Sequence, residues 1–481
     1  MVFSFRNTSA FIASLFLPIT TYFSRTRVGI AVPETFSMNV LSPPVQRLQH
    51  YLRVRTDHAA PSYHEAITFL NQTTRTLLPR ASFVTHEFVK GKPVAIVSIQ
   101  GTDPALPAVM LNSHTDVVPA EQDKWLWDPF DARLIFAHRE WRIYARGAQD
   151  MKGVGLQYLE ALSALVANGW LPHRTVHVTY VPDEEIGGVD GMGAFVNSRA
   201  FKNMRIGVAL DEGLPNEGPA FNVYYGERQT WWLTVKVTGS PGHGATFPET
   251  SATQLLHAII DKAMRFRKLQ FDKMNATGAD LGDVLGINMA FLKAGQPNDK
   301  FAAGYAMNMI PTSAEVGFDI RVPPMMDPDE LDDIIQSWLT CENGQLCPGV
   351  TYKWIIKVKN PSITSRVPAE NPHIQSFLEG LSQAGISNRL KHGIFPAATD
   401  ARYLRMANVP CFGFSPIEMT PNLLHKHNEY ITMDGYLKGC KIYEKIIKEM
   451  AGPSQKHEDH QLDVFSSADS GTDGDTAKQD L

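Results

Sequence analysis

The chain has 481 residues, of which 43% are hydrophobic and 20% are charged. This composition is typical of a soluble globular protein, and the length exceeds what one simple core supports, so we expect two domains with tails. Lys and Arg number 45 against 50 Asp and Glu, which gives a net charge of -5. Because the chain lacks a basic surplus, we expect no nucleic-acid partner.

The four cysteines are Cys341, Cys347, Cys411 and Cys440. They are too few for a disulfide framework at this length, and their spacing does not fit a zinc ribbon. Free cysteine is among the most buried residue types in proteins. We therefore expect four reduced, buried thiols.

Residues 1–37 are predicted to be an N-terminal extension. Arg6 precedes a mostly apolar run at 10–23, which Pro18 interrupts and which is too short to span a membrane. No clear cleavage motif follows and acidic residues are scarce, so a secretory signal and an organellar transit peptide both stay open. Met38 is an alternative start. We assign the protein to the cytoplasm with those targeting alternatives open, and we expect no membrane span.

Residues 38–225 show the pattern of an α/β domain. The apolar run 107–112 has no polar alternation, as expected of a strand buried on both faces of a mostly parallel sheet. His114 and Asp116 follow this strand directly. Open α/β sheets bind their ligands beyond the carboxyl ends of such strands. The two residues are therefore candidates for a functional site.

Two further apolar strands end in acidic residues. The strand predicted at 175–181 leads to Glu184 and Glu185, and the strand predicted at 206–210 leads to Glu212. The carboxyl ends of parallel strands meet at one edge of a sheet. We therefore expect these acidic residues to lie at the same sheet edge as His114 and Asp116.

Residues 226–360 are predicted to form an inserted α+β domain. The segments 231–238 and 314–322 alternate apolar and polar side chains, which is typical of antiparallel strands with one solvated face. An amphipathic helix is predicted between them, over 252–264. A pair of helices on a small sheet also offers a surface for dimerisation.

The α/β pattern resumes at residues 361–451, which complete the first domain. Residues 452–481 are polar and nearly without apolar side chains, so we predict a disordered tail. The predicted fold is thus a mostly parallel α/β domain in two chain segments, with an α+β domain inserted between them.

The chemistry of the acidic clusters points to a metal centre. The adjacent carboxylates of Glu184 and Glu185 repel each other, and one should resist ionisation unless a metal ion is bound. Taken alone, His114 and Asp116 fit a hydrogen-bonded pair, and Asp150 fits a helix cap. All of these separate explanations would have to hold together at one sheet edge. Such a coincidence is improbable, whereas one metal centre explains all of these residues together.

Two imidazoles and three carboxylates suit two zinc ions that share one bridging carboxylate. The candidate ligands are His114, Asp150, Glu185, Glu212 and His425. Asp150 is the natural bridge, and Glu184 is then the general base that takes a proton from the bound water. Asp116 is expected to hold the His114 ring.

Longer motifs around these residues resemble the zinc-dependent aminoacylase and carboxypeptidase clan of metallopeptidases. The matching segments are 111–119, 144–152, 181–185, 209–213, 225–228, 396–400 and 424–429. They occur in unbroken order between about Asn39 and Ala451. Gln149 and the Trp231-Trp232 pair place the chain nearest the aminoacylase branch of the clan.

This resemblance implies a homodimeric amidohydrolase with two zinc ions per subunit, which cleaves N-acyl-L-amino acids to a carboxylate and an L-amino acid. It implies the ligand and base roles given above, with His425 preferred to His427 for its spacing from Glu429. It also implies that residues 38–225 and 361–451 form the catalytic domain and that residues 226–360 form a lid and dimerisation domain. His243 would then reach from the lid into the partner subunit's site and stabilise the oxyanion.

Three further residues match family positions near the substrate. Asn308 and Arg321 correspond to lid positions, and Arg402 is a candidate clamp for the substrate carboxylate. Gly244-Ala245 and Ala401 depart from the more polar residues usual in the family, which leaves substrate preference open. A dipeptidase or carboxypeptidase-type activity is one alternative. A catalytically inactive zinc-binding scaffold is the other, and the intact ligand set argues against it.

Overall fold

The computed structural model of the chain describes residues 41–58, 60–359, 363–367 and 370–452. The predicted N-terminal extension at 1–37, and the predicted tail beyond residue 452, lie outside these ranges. Within them, no helix has both the length and the apolar character needed to cross a membrane.

The helices are α1 Pro43–Arg53, α2 Tyr63–Leu77, α3 Lys152–Ala167, α4 Ala194–Val196, α5 Arg199–Met204, α6 Ala252–Thr277, α7 Pro328–Leu339, α8 His373–Gln383, α9 Ala401–Met406 and α10 Met433–Met450. The strands are β1 Ser82–Val89, β2 Lys92–Ile99, β3 Ala108–His114, β4 Arg133–Ala137, β5 Glu140–Tyr144, β6 Val176–Val181, β7 Ile206–Asp211, β8 Phe221–Glu227, β9 Gln229–Thr238, β10 Gly242–His243, β11 Gly286–Ala294, β12 Met309–Ile310, β13 Ser313–Val322, β14 Val350–Lys357, β15 Leu390–Phe395, β16 Cys411–Phe414 and β17 Tyr430–Thr432.

The larger sheet has eight strands in the order β1-β2-β6-β3-β7-β16-β8-β15. It is mixed, because β1–β2, β2–β6 and β16–β8 pair antiparallel. Parallel pairing joins β6, β3, β7 and β16 at the centre, and β8 with β15 near one edge. The α/β class is confirmed, with parallel pairing concentrated at the centre of the sheet.

The central strands β3 and β6 are buried along their whole length, which explains their unbroken apolar sequences. In the register of the sheet, His114 lies opposite Val181, and Leu111 lies opposite Leu210. The carboxyl ends of β3, β6 and β7 therefore meet at one edge. Helix α3 packs nearby and is buried nearly all round, as expected of a helix in the middle of a core.

A second sheet, with the order β11-β13-β9-β14, is antiparallel throughout. Helices α6 and α7 pack with it around a separate hydrophobic core that includes Trp231, Val316 and Ile335. Strand β9 alternates buried and more exposed residues, as its sequence predicts. Helix α6 continues to Thr277. The apolar periodicity in the sequence covers only residues 252–264, because the second half of the helix is solvent-exposed and polar.

Cys341 and Cys347 form a disulfide in the connection between α7 and β14. The prediction of four reduced thiols is therefore wrong for this pair, whereas Cys411 and Cys440 are free and buried. The backbone explains the pairing. Cys341 N donates a hydrogen bond to Gln345 O across a tight turn, and the two cysteine Cα atoms lie 5.0 Å apart.

Candidate active site

His114 ends strand β3 and is buried at the edge where the three central strands meet. Its Nδ1 lies 2.9 Å from the backbone oxygen of Asp116. Because a carbonyl oxygen can only accept, Nδ1 carries a proton and directs Nε2 into the site. Nε2 lies 3.0 Å from Asp150 Oδ1.

Asp150 lies just before helix α3 and faces two imidazoles. Its Oδ1 contacts His114, and its Oδ2 lies 3.2 Å from His425 Nε2. The same nitrogen of His425 lies 3.0 Å from Glu185 Oε2. A carboxylate with each oxygen directed at a different imidazole has the geometry expected of a bridge between two metal ions.

Two overlapping groups of side chains have their ligand atoms within 4.8 Å of one another. The first group is His114, Glu184 and Glu212, and the second is His114, Asp150 and Glu185. All of the ligands predicted from the sequence lie in this cluster, with His425 at its more exposed side. Glu184, the predicted base, lies among them.

The cluster carries more buried negative charge than its protein groups neutralise. Burial, together with the charge of neighbouring acids, raises the pKa of Glu184 and Glu212 well above the ordinary value. Burial also raises the pKa of Glu185, whose Oε1 has no hydrogen-bond partner. Divalent cations would remove this cost, and imidazoles with carboxylates are a donor set that zinc accepts. The residues therefore fit a metal centre.

The imidazoles have the opposite effect on Asp150. Burial alone would raise the pKa of Asp150, but hydrogen bonds from His114 and His425 hold it below its usual range. The same contacts with Asp150 and Glu185 raise the pKa of His425 to about 10. Asp150, the predicted bridge, is thus a carboxylate that stays charged in the metal-free site.

Glu184 and Glu185 lie in a single turn of 3-10 helix, Glu184–Ile186, directly after β6. Asp183 before the turn and Gly187 after it both have positive φ, 62° and 110°. The carboxylate of Asp116 accepts hydrogen bonds from Glu184 N at 3.2 Å and from Glu185 N at 3.0 Å. This anchoring directs the two adjacent side chains to different positions in the site.

Asp116 contacts the His114 ring through two atoms. Its backbone oxygen lies 2.9 Å from His114 Nδ1, and its Oδ1 lies 3.5 Å from the same nitrogen. The carboxylate also binds the turn amides and His58, whose Nε2 lies 2.8 Å from Oδ2. Burial opposes ionisation, but both histidines lower the pKa of Asp116. Sequence reasoning missed His58, because it lies in a loop with no motif around it.

Glu429 is a second residue whose contacts the sequence does not reveal. It precedes β17, which pairs with β5 and so lies beside the segment that carries Asp150. Its carboxylate accepts hydrogen bonds from Arg146 Nη1 at 2.8 Å, Gly147 N at 3.1 Å and Gln149 N at 2.7 Å. The sequence feature that pointed to Glu429 was its position four residues after His425.

The predicted lid residues lie apart from this cluster. His243 is exposed in β10, which pairs with β12, and Asn308 is adjacent because its carbonyl accepts from Gly244 N at 2.7 Å. Arg321 forms a two-point ion pair with Asp319. In the part of the chain that the structure describes, no hydrogen bond or ion pair joins these residues to the cluster.

Arg402 does lie near the cluster, at the start of helix α9. Its Nη2 donates to Gly187 O at 2.6 Å, and its Nη1 donates to Thr399 O at 2.8 Å. Burial would lower the pKa of Arg402, but the carboxylates of Glu227 and Glu184 keep it above the ordinary value. The guanidinium is thus a fixed positive charge beside Glu184.

The sequence and the fold define the protein class. The model of peptidase family M20/M25/M40 matches residues 110–449, and the chain belongs to this family of hydrolytic enzymes. It is similar to aminoacylase-1 of Dictyostelium discoideum, with 39% identity over 409 residues that cover 84% of this chain and 96% of the relative. Aminoacylase-1 of Mus musculus is 39% identical over 410 residues, covering 85% and 95%.

A solved structure supports the same fold. The M20 family metallo-carboxypeptidase of Sulfolobus solfataricus superimposes with a TM-score of 0.63. The alignment covers 85% of this chain and 100% of that chain, at 18% sequence identity. At this level of identity the comparison establishes the fold only.

Proposed function

We propose that the protein is a homodimeric N-acyl-L-amino-acid amidohydrolase with two zinc ions per subunit. The observation that carries this proposal is the position of Asp150 between two imidazoles, with Glu184 beside them. The identity of 39% to aminoacylase-1 supports this substrate class.

The five ligand side chains divide into two sets that share Asp150. His114 and Glu212 would hold one metal ion, and Glu185 and His425 would hold the other. When bound, the metal pair would polarise the substrate carbonyl and lower the pKa of a water molecule. This assignment leaves Glu184 free for proton transfer.

Glu184 is the general base in this proposal. Its carboxylate accepts a proton from the attacking water and delivers it to the nitrogen of the leaving amino acid. In the metal-free site, burial and neighbouring acids raise the pKa of Glu184, so its carboxylate takes up a proton readily there. The fixed turn holds it at the edge of the site.

The inserted domain, residues 226–360, would act as the lid and the dimerisation domain. His243 and Asn308 lie together on it and are exposed, and within the described residues no hydrogen bond or ion pair joins them to the cluster. His243 would therefore stabilise the oxyanion in the partner subunit's site. Asn308 and Arg321 would contact the substrate, and Arg402 would bind its carboxylate. We further propose a cytoplasmic location.

The test is the metal content of the purified protein together with its activity on N-acetyl amino acids and on dipeptides. We expect about two zinc ions per chain and hydrolysis of N-acetyl amino acids, with acetyl-methionine as the first substrate. Cleavage of dipeptides alone would instead assign a dipeptidase activity. A metal-loaded protein without activity on either panel would favour the scaffold alternative.

A further inference from the structure

The backbone oxygen of Gly187 accepts two hydrogen bonds from helix α9. Tyr403 Oη donates at 2.6 Å, and Arg402 Nη2 donates at 2.6 Å. Gly187 closes the turn that carries Glu184, because Gly187 N donates to Glu184 O at 2.8 Å. The two α9 side chains therefore bind the outer end of the turn that presents the base.

Hydrogen bonds hold the outer end of the turn, and the Tyr403 ring packs beside Gly188 and Gly193. Ile186 is 61% exposed and Val189 is 66% exposed, so neither side chain is anchored in a core. The backbone is also held locally, since Gly188 N donates to Asp183 O at 2.7 Å. Asp116 fixes the inner end of the turn through the amides of Glu184 and Glu185. The contacts from α9 join the outer end of the turn to a helix that is distant in the chain.

We propose that Tyr403 is a positioning residue for the proposed general base: through the Gly187 oxygen it fixes the orientation of the turn and hence of Glu184. Tyr403 separates this effect from electrostatics better than Arg402 does, because its hydroxyl is neutral. Arg402 places a charge near Glu184, so its replacement would change both the position and the proton affinity of the base. The inference rests on the proposed role of Glu184.

Tyr403→Phe removes one hydroxyl and leaves the partly buried ring in place. We expect kcat to fall about tenfold, because small displacements of a reacting group are costly, while KM changes less than about twofold. Metal content should be unchanged, since the substitution replaces none of the proposed metal ligands. The matched control is Tyr443→Phe, which removes a hydroxyl bond of the same length, 2.6 Å, to Phe414 O elsewhere in the core. The control should lower the melting temperature and leave kcat within about twofold.

A double-mutant cycle with Glu184→Asp tests the route of the effect. If Tyr403 acts by placing Glu184, Tyr403→Phe should lower kcat less than about twofold in the Glu184→Asp background, because that shorter side chain has already lost its position. Equal losses in both backgrounds, or an unchanged kcat in Tyr403→Phe alone, would overturn the inference.

Other results would refute the proposed function, and they can be distinguished from failure of the Tyr403 inference. If Glu184→Gln keeps full activity, Glu184 is not the base, and the Tyr403 inference falls with that role. If the enzyme cleaves only dipeptides, the same cycle is measured on a dipeptide. In that case the substrate assignment is lost, while the positioning role of Tyr403 is tested unchanged.

Discussion

The edge of the eight-stranded sheet and the inserted domain present their functional residues in different ways. At the sheet edge, His114, Asp150 and Glu212 are buried, and they follow strands or precede a helix whose positions the core fixes. In the inserted domain, His243 is exposed in the two-residue strand β10, and Asn308 is exposed just before β12. The residues of the first region contact one another, whereas, apart from strand pairing, the hydrogen bonds of His243 and Asn308 within the described residues join them only to Ala245, Thr246 and Gly244 beside them.

In the proposed function, this difference would separate the proton and metal chemistry from substrate contact. Buried residues anchored at several points suit groups that must keep a fixed geometry throughout the reaction. Exposed residues on a separate core suit groups that reach their target when a domain or a second subunit approaches. The comparison predicts that the sheet edge tolerates little change, whereas the lid residues act across subunits.

The largest loss of activity is expected from one substitution in each region, Glu184→Gln at the sheet edge and His243→Ala in the inserted domain. Glu184→Gln should lower kcat about 10³-fold, or about 4 kcal/mol in the barrier, while zinc stays bound, because the general base is lost. His243→Ala should also be strongly impaired, with the fold intact. The measurement is steady-state hydrolysis of acetyl-methionine, with metal analysis of each variant.

Mixing those two variants tests whether the lid residue works in the partner's site. If subunits exchange, half of the dimers contain one chain of each kind, and one of their two sites then combines an intact Glu184 with an intact His243. About a quarter of the wild-type activity should return. No recovery, after subunit exchange has been demonstrated, would place His243 in its own subunit's site or outside the mechanism.

The next effect concerns the anchoring of the sheet edge. Glu429→Gln removes a carboxylate that is fully buried against Arg146, whose side chain is 3% exposed. The uncompensated guanidinium should lower the free energy of unfolding by about 3 kcal/mol. Burial raises the pKa of Glu429 to about 7, so urea denaturation at pH 8 measures the charged pair.

The matched control for this variant is Asp272→Asn in the exposed Lys268–Asp272 pair of helix α6. That surface pair should contribute less than about 1 kcal/mol. Equal losses for the buried and the exposed pair would contradict the view that the sheet edge depends on buried anchors. Glu429→Gln should in addition weaken zinc binding, because one of the two acceptor oxygens becomes an NH2 donor that faces the N–H donors of the segment before Asp150.

Metal removal should destabilise the protein in a pH-dependent way. At a zinc concentration 100 times Kd, binding contributes about 2.7 kcal/mol. In the metal-free protein the pKa values of Glu185 and Glu212 are raised above 4.5, so the folded state binds more protons than the unfolded state and its stability falls as pH rises from there. His425, whose pKa is raised from 6.5 to about 10, likewise loses its stabilising positive charge as the pH rises.

The gap in melting temperature between zinc-loaded and chelated protein should therefore widen from pH 5 to pH 9. Asp150 acts in the opposite sense, since its pKa is lowered, but its contribution is lost only below its usual value of 3.8, outside this range. Thermal unfolding with and without a chelator provides the measurement. A gap that narrows with rising pH would contradict the assignment of these carboxylates to the metal site.

Much of the sheet edge was predictable from the sequence. Apolar strands without alternation indicate burial on both faces, and the residues that follow them must then meet at one edge, as His114 and Glu184 do. The contacts of His58 and Glu429 were not predictable, because they depend on loops that the strand pattern does not place. Neither was the hydroxyl bond from Tyr403 to Gly187, which joins residues far apart in the chain.

The disulfide shows the same limit in the inserted domain and gives the smallest expected effect. Cys341 and Cys347 are six residues apart, and only the tight turn between α7 and β14 brings them together. Closing so short a loop contributes about 2 kcal/mol, so Cys341→Ala with Cys347→Ala should lower the stability of this domain by that amount. Reductant should lower the melting temperature of the wild type and leave the double variant unaffected, since Cys411 and Cys440 are free in both. Zinc content should not change, because strand pairing holds the sheet edge independently of this crosslink; loss of zinc on reduction would show that the two regions are not energetically separate.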